Sequence, residues 1–217
     1  MPSTVTMKTN AVQRRNRRGR VIVISGPSGV GKSTICREAL RRLKNVHLSV
    51  SLTTRPPGPN EQNGRDYWFV SEQEFRERIE RGLLLEYANV FGNLYGTPKD
   101  KVDEALEAGQ SVVLEIDVQG GKQAKAVYPD AVMIFILPPD ENALAERIGR
   151  RGRDSAEVIR ERLDKAGAEI ASAREHYDHM VINEDLERAI DDVVGIIEQA
   201  LDGGASPRRR GSSVGEH

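Results

Sequence analysis

Nine residues constrain this chain more than any others. Gly26-Pro27-Ser28-Gly29-Val30-Gly31-Lys32-Ser33-Thr34 fits G-x-x-x-x-G-K-[ST], the pattern of a P-loop. Its flanks fit as well. The apolar run Val21-Ile22-Val23-Ile24 enters it as a buried strand, and a helix leaves it from Lys32 to about Leu43, with Ile35, Ala39 and Leu43 on one face. In such a loop the glycines let backbone N–H groups close around phosphate oxygens, and the helix N-terminus adds a favourable dipole. Lys32 is placed to reach β- and γ-phosphates, and the Ser33 hydroxyl to sit on Mg²⁺.

The remaining pattern alternates strand and helix, which implies crossovers and a parallel sheet. Val46 to Leu52 reads as one extended segment, followed by a Pro/Gly-rich loop from Arg55 to Gly64. Tyr67 to Val70 is a short aromatic strand. Ser71 and Glu74 form a capping box for a helix that turns Phe75 and Ile79 inward. Leu83 to Val90 is strand-like, and Thr97-Pro98 opens a helix by N-cap and N1 proline that Gly109 closes. Core strands follow at Ser111–Asp117, Ala131–Leu137 and Met180–Asn183. Between the last two, Asp140 caps one helix and Ser155 starts another, through Ile159, Leu163 and Ala166. A final amphipathic helix runs through Ile190, Val194, Ile197 and Leu201. The expected fold class is α/β: a parallel central sheet flanked by helices, a mixed insert and a helical lid.

At 217 residues this is one domain with room for a lid or inserted lobe. Net charge is −1, which selects neither nucleic acid nor membrane. Cys36 is the only cysteine, so no disulfide framework exists, which suits a cytoplasmic location. No apolar run approaches a membrane span, and the first twenty residues lack a secretory h-region. Residues 1–19, with Arg14, Arg15, Arg17 and Arg18, read as a basic disordered arm, and 203–217, with Arg208-Arg209-Arg210, as a second tail.

A P-loop alone promises a nucleotide and a metal; the second substrate must be read elsewhere. Arg55, Tyr67 and Tyr95 offer one guanidinium fork and two phenol donors, a set suited to a phosphate monoester. Glu86 interrupts the apolar strand Leu83-Leu84-Leu85-Glu86-Tyr87-Ala88, and Glu115 and Asp117 end a later one. Guanine presents N1–H and N2–H₂ on one edge, and a carboxylate accepts both, whereas adenine has no donor there. Glu86 could instead point out of an edge strand, and Glu115 or Asp117 could order Mg²⁺ through water. Arg147 and Arg151 are i, i+4 on one helix face, with Arg153 and Arg162 beyond; with Gly149 and Gly152 as hinges they make a mobile lid. Asn183-Glu184-Asp185 follows the last strand at the sheet edge where open α/β folds bind ligands.

Together these strings resemble the guanylate kinase family of P-loop nucleoside monophosphate kinases. The resemblance runs from about Val21 to Leu201 and rests on the P-loop, Ser49-Val50-Ser51, Thr53-Thr54-Arg55, Gly64-Arg65-Asp66-Tyr67, Phe91-Gly92-Asn93-Leu94-Tyr95-Gly96-Thr97, Ile116-Asp117-Val118-Gln119-Gly120, Arg151-Gly152-Arg153-Asp154-Ser155 and Val181-Ile182-Asn183. It implies ATP:GMP phosphotransfer with Mg²⁺. Ser49, Arg55, Tyr67 and Tyr95 would hold the GMP phosphate and its surroundings, and Glu86, Thr97 and Asp117 would read guanine. Arg147, Arg151 and Arg162 would serve the triphosphate, and Asn183 would lie near adenine. The implied division is a core (about 20–47, 98–137 and 177–202), a GMP-binding insert (about 48–97) and a lid (about 138–176). Partners would be ATP and GMP, with no membrane or specific nucleic acid, in a monomer or homodimer. The alternative is a catalytically weak, phosphopeptide-binding module of the same fold. One departure stands out: three residues after Arg55, where the family usually has a second phosphate-binding arginine, this chain has Gly58. Arg65 or an altered loop path through Pro56, Pro57 and Pro59 is the expected compensation.

Overall fold

A computed structural model describes residues 18–90, 92–149 and 156–203. Residues 1–17 of the basic arm, 204–217 of the second tail, Phe91 and the 150–155 segment with Arg151 and Arg153 lie outside the described residues, whereas Arg18 and Gly19 of the arm bond to Asp103 and the Leu106 carbonyl of the helix at 99–107.

Five parallel strands form the main sheet in the order β2-β7-β1-β8-β9. β1 (Val21–Ser25) is central, between β7 (Ser111–Glu115) and β8 (Val132–Leu137); β2 (Val46–Leu48) and β9 (His179–Ile182) lie at the edges. β1 is VIVIS and β8 is VMIFIL, near-continuous apolar runs that suit strands covered on both faces. On one face, Ile22, Ile24, Ile134 and Ile136 pack with Ile35 and Ala39 of α1 (Lys32–Arg42) and Ile190, Val193 and Ile197 of α7 (Leu186–Leu201). On the other, Val21, Val23, Met133 and Phe135 meet α3 (Lys99–Glu107), α4 (Val118–Val127) and α6 (Ala156–His176) through Val102, Leu106, Ala124 and Ala173. Cys36 is core, and burial, aided by the Glu115 charge, pushes its thiol far above the usual range. No helix among the described residues is long and apolar enough to cross a membrane.

A second sheet, of order β4-β3-β6-β5, is built from the insert. Here the structure corrects the sequence reading. Val46 to Leu52 is not one strand: Ser49 N–H still bonds Val113 O at 2.8 Å, but the chain then leaves the main sheet and re-enters extended structure as β3 (Leu52–Thr53). β3 pairs parallel with β4 (Trp68–Phe69) and antiparallel with β6 (Asn93–Pro98), which in turn pairs with β5 (Leu84–Val90). β6 is an element the sequence pattern did not mark, and α4 is another.

The caps hold with two exceptions. Asp140 accepts from Ala143 N–H at 2.7 Å, and Asp185 accepts from Arg188 N–H at 2.9 Å. Ser71 accepts from Glu74 N–H at 3.1 Å at the start of α2 (Glu72–Glu80), but the Glu74 carboxylate pairs with Arg78 instead of closing the box. Thr97 is not a cap at all. Pro98 takes that position, with no side-chain cap bond, and Thr97 remains in β6 with its hydroxyl committed elsewhere. α5 (Glu141–Gly149) packs on α6 through Leu144 and Ala166, with Ile159 and Leu163 beside them.

Candidate active site

The P-loop occupies the turn between β1 and α1, at the carboxyl end of the central strand. Gly31 caps α1 in the left-handed region (φ 97°), and Gly29 is also left-handed (φ 86°), conformations that L side chains rarely adopt. Lys32 Nζ donates to Gly26 O at 2.7 Å, spanning the loop from within. Ser28 and Thr34 are exposed and Pro27 is buried beneath them. The loop is braced from the side of β9. Asn183, almost fully buried, donates from Nδ2 to Val30 O at 2.7 Å. Arg147 of α5 reaches Asn183 O at 3.1 Å and Val30 O at 3.4 Å. Beside this brace lies a cleft of about 280 Å³ lined by Gly29, Gly31, Thr34, Arg147, Asn183 and Leu186. Arg162 is half-buried on α6.

Because β7 neighbours β1, its acidic end lands beside the loop. Ser33 Oγ donates to Glu115 Oε1 at 2.5 Å. A hydroxyl and a carboxylate in contact, next to the backbone amides of the loop, are the hard oxygen donors that Mg²⁺ takes sparingly alongside phosphates and water, so these residues fit that ion. Asp117, two residues on, caps α4 through Oδ1, which accepts Gly120 N–H at 2.8 Å.

Glu86 does not point out of an edge strand. Across the β5–β6 hairpin it is opposite Thr97, and Thr97 Oγ1 donates to Glu86 Oε1 at 2.6 Å. A Cβ on Gly120 would sit 3.1 Å from Glu86 Cγ, so the glycine after Asp117 is what admits this side chain. Burial raises the Glu86 carboxyl above the usual carboxylate range, against the Thr97 bond and with the nearby Asp117 charge. The geometry thus presents two carboxylates with unspent acceptor capacity on adjoining elements.

The third group sits at the other end of the insert. Arg55 lies 5.5 Å from the centroid of the Tyr67 ring and 5.9 Å from that of Phe69, and Tyr67 meets Tyr95 edge-on at 5.8 Å. Burial and the Tyr95 neighbour hold the Tyr67 phenol above its ordinary range, so at neutral pH it keeps its proton to donate. Arg65, the expected compensation for Gly58, turns away to Asp66 and the Asn60 carbonyl.

The guanylate kinase family model matches residues 18–200, nearly everything described above. The chain belongs to the guanylate kinase family. A guanylate kinase from Gloeobacter violaceus is 51% identical over 182 residues, 84% of this chain and 88% of that one. One from Rubrobacter xylanophilus is 47% identical over 188 residues, 87% of this chain and 98% of its own length. Among solved structures, guanylate kinase from Anaplasma phagocytophilum matches with a TM-score of 0.66 at 34% identity, covering 84% of this chain and 86% of that one.

Two features of this family member were not singled out in the sequence. One is Glu61, which holds Arg55. The other is a buried relay at the junction of the P-loop and β7: Tyr177 Oη donates to Ser25 Oγ at 2.6 Å, and Ser25 Oγ donates to Ile116 O at 2.7 Å. Both side chains are nearly inaccessible, and Tyr177 packs edge-on against Phe135 at 5.4 Å. The signal was faint: Ser25 looks like the end of a strand and Tyr177 like core. Gly121 leaves the room for it, since a Cβ there would overlap Tyr177 Oη. Gly121→Ala should therefore cost about 1–3 kcal/mol in urea unfolding. Adding Tyr177→Phe, which deletes the clashing hydroxyl, should recover part of that loss; no recovery would show that the clash is not its source.

Proposed function

We propose that this chain transfers the γ-phosphoryl group of ATP to GMP, giving ADP and GDP, in a three-part molecule of core, GMP-binding insert and lid. The observation that carries this reading is the pairing of Glu86 with Thr97 beside Asp117, at the end of the strand that also brings Glu115 to Ser33. One sheet edge thereby serves both a triphosphate loop and a base-reading pocket. Guanine N1–H and N2–H₂ supply further donors to half-buried Glu86 and exposed Asp117, and the Thr97 hydroxyl fixes the Glu86 rotamer that receives them. An AMP base leaves those oxygens unpaired, a mismatch that polar sites reject strongly.

Arg55, Tyr67 and Tyr95, with Ser49 on the link between the two sheets, take the acceptor phosphate. The P-loop amides from Gly26 to Thr34 and Lys32 take the donor phosphates, with adenine in the cleft beside Asn183. Mg²⁺ would be held by Ser33, with Glu115 or Asp117 ordering its water, and supplies charge neutralisation on the phosphates. Arg147, Arg162 and Arg151, the last outside the described residues, neutralise charge as the phosphoryl group moves. Arg147 is now spent on two carbonyls and must release them to do so. No covalent intermediate is required, because positioning and electrostatics suffice for phosphoryl transfer. The intact P-loop favours this reading over a phosphopeptide-binding module, which has no use for Lys32 or Ser33.

The test is ADP formation with Mg²⁺-ATP and each of GMP, dGMP, AMP, CMP and UMP. Turnover is expected with GMP and dGMP. Absence of turnover with GMP would overturn the reading, and equal turnover with AMP would remove the roles given to Glu86 and Asp117.

A further inference from the structure

The phosphate clamp carries its own counter-ion. Arg55 Nη2 donates to both Glu61 oxygens, at 2.8 and 2.9 Å, while Nη1 donates to Pro56 O at 2.9 Å. Glu61 is fixed from a second direction, because Oε2 accepts the Gly58 N–H at 2.6 Å. These two donors lower the Glu61 carboxyl below its ordinary range, so it is ionised at neutral pH. The loop from Arg55 to Tyr67 contains two arginines and two carboxylates, and its other arginine, Arg65, is committed to Asp66. A guanidinium already matched by a carboxylate is what an incoming phosphate dianion meets.

We propose that Glu61 is an internal competitor of the acceptor phosphate for Arg55, and that residue 58 sets how strongly it competes. A Cβ on Gly58 would lie 3.1 Å from Glu61 Oε2, so any side chain at 58 begins at that carboxylate. Glycine offers Glu61 only a backbone N–H. An arginine there would offer a full charge-assisted partner, draw Glu61 off Arg55, and leave the fork free for phosphate. The flexible end of Glu61 can give way by the few tenths of an ångström that a Cβ requires. Acceptor affinity in this chain is thus set by an ion pair and not only by the groups that touch GMP.

This inference rests on Arg55 binding the acceptor phosphate, and the experiment separates the two claims. Michaelis constants for GMP and ATP are measured on the full chain and on Glu61→Gln, Gly58→Arg, Gly58→Ala, the Glu61→Gln/Gly58→Arg double variant and Arg55→Ala. Glu61→Gln keeps an acceptor for the Gly58 N–H but loses the charge. It should lower the KM for GMP about twofold to fivefold, the range expected for a partly exposed ion pair, and leave that for ATP unchanged. Gly58→Arg should do the same, Gly58→Ala should not, and the double variant should gain little beyond either single one. If Arg55→Ala leaves the KM for GMP unchanged, the assignment of the phosphate site fails. If Arg55→Ala raises it but Glu61→Gln raises it too, or neither Glu61→Gln nor Gly58→Arg lowers it, Glu61 is an orienting partner and the competition is refuted. Should Glu61→Gln fold poorly, Glu61→Ala takes its place, because an arginine at 58 can also reach the phosphate itself: a lowered KM for GMP supports the competition, and an unchanged or raised one refutes it.

Discussion

Lys32→Ala should lower kcat by about 10²–10³-fold or more, the loss seen when one preorganised electrostatic donor is removed from a charge-developing site. Stability should hardly change. The ammonium is half-buried, and the hydrogen bond described for it is one to Gly26 O, a contact internal to the loop. That bond is a resting position: with a triphosphate present, the same Nζ exchanges a neutral carbonyl for charged phosphate oxygens, a stronger partner. Lys32→Arg should not restore activity. A planar five-donor fork cannot replace a compact point charge inside a loop closed tightly by left-handed Gly29 and Gly31. Steady-state kinetics with urea unfolding of the same preparations checks both halves. Activity within tenfold of the parent would mean that Lys32 does not contact the transferring group. A large loss of stability would mean that its role is to hold the loop together.

The contrast between Lys32 and the acceptor residues also shows what a sequence of this kind can and cannot tell. Strand, loop and helix around Lys32 are contiguous, so local pattern and tertiary position coincide. At Val46 to Leu52 they do not. Period and composition are the same whether the segment stays in one sheet or passes to another, and only the partners of Ser49 and Leu52 show the transfer. β6 was hidden because Gly96, Thr97 and Pro98 carry turn and cap chemistry; the hydroxyl that looked like a helix cap is the one that orients Glu86. α4 was hidden by Gly120 and Gly121, poor helix formers that are there for what packs against them, Glu86 and the Tyr177 hydroxyl. Each miss is a place where local propensity yields to the site. Glu61 is the plainest: an exposed-looking loop carboxylate whose role appears only when Arg55 is seen to need a partner.

Glu86→Gln should move activity and stability in opposite directions. At neutral pH the ligand-free carboxylate is held in a setting that disfavours its charge, chiefly through burial and secondarily through Asp117. A carboxyl raised in the folded state binds more protons there than in the unfolded chain. It therefore favours the fold at pH below its unfolded value and disfavours it progressively as pH rises through the folded value. The neutral amide removes that cost while its oxygen can still accept from Thr97, so the ligand-free variant should unfold at equal or higher urea concentration than the parent at pH 7. Function runs the other way. With its oxygen turned to Thr97, the amide NH₂ faces guanine N1–H, donor against donor, in place of a charge-assisted bond. Losing such a bond costs about 1.5–3 kcal/mol, so the KM for GMP should rise about 10- to 100-fold with the KM for ATP unchanged. Discrimination between GMP and AMP should narrow by the same factor, because the site no longer has an acceptor that only guanine can satisfy. A stable variant with unchanged KM would place guanine recognition on Asp117 alone. A destabilised variant with unchanged KM would make Glu86 a structural partner of Thr97 and nothing more. Only the opposed pair of shifts fits a carboxylate kept, at a cost to the empty protein, for the base it reads.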